Sequence, residues 1–414
     1  MKPALFCLSF LFLLTLGCSE KESIPGENPE SGDQVSSISI YRQEMAKSSE
    51  EPTDLPVIPG EAQNLIGYNE FAPGNLLYVS QLGTEKDPNF LNSPSSNFYI
   101  YEYQDNPKAN WNEEYNFVPY NKAAIKWSLI KDFGSVGNAF SLYAMSFPNS
   151  TATDFNPANL KFEVQTDQTG NDNPYDLENF YNSDILGAYH ATSALFTRLR
   201  FNLFHLMVQL KITIYAPVFE DSTDDQGKYS YSGFKENAMV SGYLLNSQNQ
   251  FSISWKANRS SDTEPPLTTG TGNKTNLKMY MHEPSDTIIT LTDLTQYFNN
   301  PTLPEDKVRP YNFNILFPEQ TFNSNDNLLC FVLKGVANDE ETNYKYYYFS
   351  PGQIVSGTYA LNQGTIQHLY LYIPRTTNQT ILIGANILNW GTSFSDMTVT
   401  QEKDNNSSLE DLEE

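Results

Sequence analysis

The sequence predicts an all-β protein built as two tandem β-sandwich bodies, and three observations lead there. From Phe204 to Ile214 every second residue is apolar (Phe204, Leu206, Val208, Leu210, Ile212, Ile214), with His205, Met207, Gln209, Lys211 and Thr213 between them. A period of two sets one face on a core and leaves the other to solvent. The composition is 14% aromatic with 24 Pro and 22 Gly, which suits many short strands separated by turns. Helical patterning is scarce outside residues 4–16, and 414 residues exceed what one small core organises.

Upstream of Phe204 the parity reverses, with Leu199, Phe201 and Leu203 apolar, so a bulge or bend is expected near Leu203–Phe204. The run reads as the last core strand of the first body, and the polar Glu220–Lys228 as the joint to the second. Residues 68–219 form the expected first body, with strands at Leu76–Leu82, Phe98–Tyr103, Ala123–Ile130, Phe140–Phe147 and Leu160–Val164. Residues 220–400 form the second. Its expected strands are Met239–Leu245, Phe251–Trp255, Leu277–Met281, Ile288–Leu291, Tyr311–Phe317, Leu328–Val336, Tyr344–Phe349, His368–Ile373 and Thr380–Asn389. A helical turn fits Leu291–Phe298, and residues 401–414 read as an acidic tail.

The amino terminus carries processing information. Lys2 precedes a short apolar run, Ala4–Leu16, below spanning length. Residues 1–17 read as a signal peptide, because Thr15-Leu16-Gly17-Cys18 resembles a lipobox with Cys18 as the acylated residue. More than one acyl chain at Cys18 would hold the protein firmly on a membrane. Residues 18–67 then read as a tether containing one β-prone stretch, Val35–Tyr41, followed by Arg42-Gln43. Arg42 is the only arginine before Arg198, and it stands at the edge of loop composition, where chains are open to proteolysis. With Cys7 in the signal and Cys18 acylated, Cys330 is left alone in an apolar strand, so no intramolecular disulfide is expected.

The formal charge is −24, from 49 acidic and 25 basic residues, which excludes nucleic acid and anionic lipid headgroups as electrostatic partners. The sequence holds no Gly-rich phosphate loop, no Gly-x-Ser-x-Gly and no His-Glu-x-x-His. His190, His205, His282 and His368 are scattered singly and read as structural residues. Asp221–Gly227 lacks the ligand spacing of a calcium loop. Neither a catalytic constellation nor a cofactor or metal site is expected. Trp111, Tyr115 and Tyr120 are aromatic residues able to stack on sugars.

Several stretches, in order, resemble the fimbrillin family of Gram-negative lipoprotein pilins. Trp127 and Phe140–Pro148 are similar to the family's Trp and the strand ending in Pro. Phe162–Gln168, Ser183–Ala188 and Phe201–Ile214, the last with His205 and Leu206, follow in the family's order. Tyr311–Phe322 resembles its Pro-Gln-x-Phe strand, with Glu319 inserted between Pro318 and Gln320. Leu369–Ile373 and Ile381–Trp390 look like its closing hairpin. The resemblance implies two transthyretin-like sandwiches, no catalysis, and a fibre-building, adhesive role at the outer membrane. It implies that an Arg- or Lys-specific protease removes an amino-terminal strand, here Val35–Tyr41 with the cut at Arg42–Gln43, so that other fimbrial subunits can donate a strand. The donor is either the carboxy-terminal Phe394–Thr400 or the segment after Gln43. A host or bacterial surface ligand is the implied adhesive target. The alternative is a surface glycan-binding lipoprotein with Trp111 and Tyr115 as its platform.

Overall fold

A computed structural model describes residues 37–41, 58–62, 73–81, 99–104, 114–120, 140–151, 163–192, 198–218, 221–223, 229–231, 234, 238–254, 267–298, 303–334 and 344–389. The fold is all-β and sandwich-like. Among the described residues helical structure comprises Glu178–Asn182, the 3-10 turns Leu291–Gln296 and Pro351–Gln353, and the single 3-10 residue Tyr120, the first of these turns falling where the sequence predicts one.

Eight strands from the first half form one sheet: β1 (Ser37–Tyr41), β2 (Asn75–Gln81), β3 (Tyr99–Tyr103), β4 (Glu114–Pro119), β5 (Phe140–Thr151), β6 (Leu186–Thr192), β7 (Arg198–Asn202) and β8 (Phe204–His205). Their spatial order is β7-β1-β4-β3-β2-β5-β6-β8. The two edges, β7 and β8, are separated in the chain by Leu203 alone. One residue cannot span an open eight-stranded sheet, so the sheet curls until its edges meet. Leu76, Leu77, Tyr78 and Val79 of β2 are all buried, as a strand in the middle of such a fold must be.

The remaining strands are β9 (Val208–Pro217), β10 (Asp221–Thr223), β11 (Tyr229–Tyr231), β12 (Met239–Ser254), β13 (Leu267–Lys278), β14 (Tyr280–Met281), β15 (Ile289–Thr290), β16 (Lys307–Phe317), β17 (Gln320–Asn323), β18 (Leu329–Lys334), β19 (Tyr344–Phe349), β20 (Thr358–Leu361), β21 (Thr365–Tyr372) and β22 (Ile381–Asn389). A four-stranded sheet, β13-β12-β18-β19, packs on a six-stranded one, β14-β16-β9-β21-β22 with β15 also on β16. Phe313 of β16 meets Phe331 of β18 across the gap, ring centroids 5.4 Å apart. Strands β10–β11 and β17–β20 pair separately.

β9 corrects three expectations. It does not close the first body's sheet. It lies in the middle of the six-stranded sheet, antiparallel to β16 and parallel to β21, both from the far half of the chain. Nor does a bulge repair the parity change at Leu203–Phe204. The chain leaves β7 at one edge of the first sheet and enters β8 at the other, so the two parities belong to different strands. Thirdly, all ten residues of β9 are buried, Gln209, Lys211 and Thr213 included, so its polar face is covered. β4 and the Thr-, Gly- and Lys-rich β13 are strands that apolar alternation does not reveal. Ala123–Ile130, Trp127 and Phe394–Thr400 lie outside the described residues, and from Leu160–Val164 the described part contributes a bridge from Glu163 to Gln250.

Gly242 of β12 sets the approach of the two sheets. A Cβ there would stand 2.5 Å from Met279 Cε and 3.0 Å from the Phe313 ring. Gly242→Ala is therefore expected to destabilise the sandwich by about 1–3 kcal/mol, measured as a shift in the urea midpoint.

Candidate functional site

β1 is short, yet it is an interior strand with a ladder on each side. Against β4 it runs antiparallel, pairing Ile38 with Phe117, Ser39 with Asn116, Ile40 with Tyr115 and Tyr41 with Glu114. Against β7 it runs parallel, Ile38 opposite Leu199 and Ile40 opposite Phe201. Ile38 is fully buried, as are Phe117, Leu199 and Phe201. The slot that holds β1 therefore offers two rows of backbone donors and acceptors over an apolar floor. Emptied, it would leave both rows unpaired.

The sequence-predicted processing residues, Cys18, Arg42 and Gln43, lie outside the described residues, with Arg42 the residue immediately after β1. Trp111 also lies outside them. Tyr115 is in β4, in register with Ile40, and Tyr120 is half-buried just past the end of β4. Cys330 is buried in β18.

A second assembly covers the polar face of β9. Residues Ile58–Ala62 lie as a strap across the outer face of the six-stranded sheet. Ile58 joins an apolar cluster with Tyr215, Leu291, Val308 and Tyr370. Gly60 has φ +84°, a left-handed turn that suits glycine, and a Cβ there would strike Pro310 at 2.6 Å. Tyr215 OH donates to the Pro59 carbonyl (3.0 Å) and Asn312 Nδ2 to that of Gly60 (2.9 Å). Glu61 then turns inward. Its Oε1 lies 3.4 Å from Lys211 Nζ and 3.2 Å from His368 Nδ1, and Tyr370 OH donates to Oε2 at 3.4 Å.

Beneath it, β9 and its neighbours link side chain to side chain. Thr213 Oγ1 lies 2.9 Å from His368 Nε2 and 2.8 Å from Asn312 Oδ1. Gln209 Nε2 donates to Asn314 Oδ1 at 2.9 Å, and Asn314 Nδ2 donates to His282 Nε2 at 2.6 Å. Two histidines that the sequence shows as isolated, His282 and His368, thus each join a hydrogen-bonded set on this side of the sheet, His282 with Asn314 and Gln209, His368 with Thr213 and Glu61. His205 is elsewhere, its Nδ1 2.8 Å from Asp184. The order Thr213–His368–Glu61 follows the nucleophile–base–carboxylate pattern of acyl-transfer sites. Thr213 has no solvent exposure and His368 has 4%, and the cleft beside the strap, about 690 Å³, is lined by Glu61, His282 and Asn312 but by neither of them. A substrate carbonyl cannot reach that hydroxyl, so the arrangement is structural.

The electrostatics agree with a closed network. Burial pushes the Glu61 carboxyl up, but hydrogen bonding and attraction from His368, then Lys211, hold it below its ordinary range. Burial lowers Lys211, and Glu61 partly restores it. Burial, then repulsion from Lys211, brings His282 down from 6.5 to about 4. Burial likewise lowers His368 against the pull of Glu61. The cluster was legible in part: polar residues alternate on β9 (Gln209, Lys211, Thr213), on β16 (Asn312, Asn314) and around His368 on β21. Their cover, Glu61, lies some 150 residues away in sequence.

Two predictions follow from this chemistry. Glu61→Ala leaves the buried Lys211 without that carboxylate and is expected to cost about 3 kcal/mol, whereas Glu61→Gln combined with Lys211→Met recovers most of the loss in denaturant titrations. Folded His282 stays neutral where an unfolded one takes up a proton, so stability falls as pH drops from 6.5 towards 4. His282 contributes on the order of 3 kcal/mol to that slope. In melts across this range, His282→Gln should flatten it.

The sequence matches no protein-family model and no curated protein. Its structural neighbours are candidate cell adhesion proteins and fimbrial proteins, all at low identity. A candidate cell adhesion protein from Bacteroides uniformis is 10% identical, with TM-score 0.42 over 77% of this chain and 93% of that one. Another, from Bacteroides ovatus, is 11% identical, with TM-score 0.42 over 88% and 99%. The tip fimbrial protein Mfa3 from Porphyromonas gingivalis, truncated at its C-terminus, is 7% identical, with TM-score 0.31 over 77% and 95%.

Proposed function

We propose that the chain is a non-enzymatic, fimbrillin-like surface lipoprotein that assembles with other fimbrial subunits by strand exchange at the β1 slot. One observation carries this reading: β1 is an interior strand attached to the described body only through its carboxy-terminal end. A single cut after Tyr41 separates it from everything it pairs with. Arg42-Gln43 follows at once, which suits an Arg-specific protease. The emptied slot then needs a strand, and one donated by a neighbouring subunit restores both ladders. Donor and slot occupy different places on the subunit, so the contact is head-to-tail and builds a filament. In this reading Cys18 carries the lipid that holds the precursor on the outer membrane, and assembled subunits present an adhesive surface to host or bacterial ligands.

The test uses the chain from Ser19 onward with limited Arg-specific proteolysis. A new terminus at Gln43 and a heat-labile ladder on unboiled gels are expected, and Arg42→Ala should abolish both. A cut protein that stays monomeric in the presence of its own excess would contradict strand exchange. Ile38→Ala removes a side chain buried between Phe117 and Leu199, weakens the seating of β1 by about 2–4 kcal/mol, and should speed laddering after the same cut.

A further inference from the structure

We infer that the outer face of the six-stranded sheet is a docking site for the chain's own amino-terminal arm, keyed by Glu61, and that this attachment is independent of β1. The inference rests on the proposed cut after β1 and says which part of the arm leaves and which stays.

The arm touches the described body at two places by different chemistry. β1 is held by backbone ladders to β4 and β7, both in the eight-stranded sheet. Ile58–Glu61 is held by side chains of the other sheet: Lys211 and Tyr215 of β9, Asn312 of β16, and His368 and Tyr370 of β21. The only described backbone hydrogen bond of the strap is its own turn, Glu61 N–H to the Ile58 carbonyl at 3.1 Å. Among the described residues none of the strap's partners belongs to β1, β4 or β7, so emptying the slot takes none of these contacts from the strap.

Residues 42–57 join the two attachments, with a reach of about 50 Å when extended. A cut anywhere in this stretch has one outcome: the β1 peptide departs, and the new terminus stays moored at Glu61. The docking site fits an extended segment with a small residue at the turn and a carboxylate one residue on. Lys211 supplies the charge that reads the carboxylate, and Asn312 and Tyr215 read the preceding carbonyls. The strap thereby limits how much of the arm can leave, and any incoming strand meets a slot whose former occupant is gone while Ile58–Glu61 stays in place.

The experiment uses the full chain with a site-specific protease sequence inserted after Arg42. The β1 peptide is cut off and separated by gel filtration. The readout is the rate at which a Glu-specific protease cuts after Glu61, seen by mass spectrometry as a chain beginning at Ala62. The rate should stay within twofold of that in uncut protein. Lys211→Met should raise it at least tenfold before or after the cut, and Tyr215→Phe and Asn312→Ala, which leave no charge behind, should raise it several-fold with the melting transition intact. A tenfold rise on loss of β1 alone, or no response to any of the three variants, overturns the inference. Filament formation plays no part in this readout, so failure of assembly and failure of the docking site remain separate results.

Discussion

Backbone amides and carbonyls inside a sheet must be paired, and the arrangement of this molecule turns on how that requirement is met for β1. Its strand lies between β4 and β7, so both its edges are in use. It also sits where the curled sheet joins its edge strand to the rest. Without β1, β7 has no ladder to β4 and the floor of Phe117, Leu199 and Phe201 is uncovered. Under the proposed exchange, that cost would make a replacement strand favourable.

The six-stranded sheet solves a different problem. β9 is buried on both faces, and its polar residues cannot be left to water. Their side chains bond laterally to Asn312, Asn314 and His368 and outward to Glu61. Here a buried ion pair does not add much net stability by itself. It fixes where the strap lies, since removing either partner exposes the other to a dry environment. Stability and placement thus come from separate features: the apolar layer between the two sheets provides the first, and the polar layer outside provides the second.

Much of the fold was legible in the sequence. Val35–Tyr41 reads as a strand because it is β-prone, and β2, β3, β5, β16, β18, β19, β21 and β22 all fall on runs with β-branched or aromatic character. What alternation does not contain is partnership. Phe204–Ile214 shows strand character plainly, but nothing local says that it breaks at Leu206–Met207 into β8 and β9, or that β16 and β21, about a hundred and more residues on, are the neighbours of β9. For the same reason a polar face covered by a distant strap looks identical to one facing water. β13 was invisible because LTTGTGNKTNLK has no apolar face to announce. At the site, β1 itself was legible as a β-prone stretch, whereas the Glu61 cluster could not be, since its members are drawn from the strap, β9, β16 and β21.

A density map of the assembled filament tests the central claim most directly. The account predicts that in each subunit the position between β4 and β7 holds a strand from a neighbour, with an apolar side chain where Ile38 stands in the unassembled chain. A filament in which β1 still occupies that position, or in which β4 and β7 have closed on each other, would contradict it.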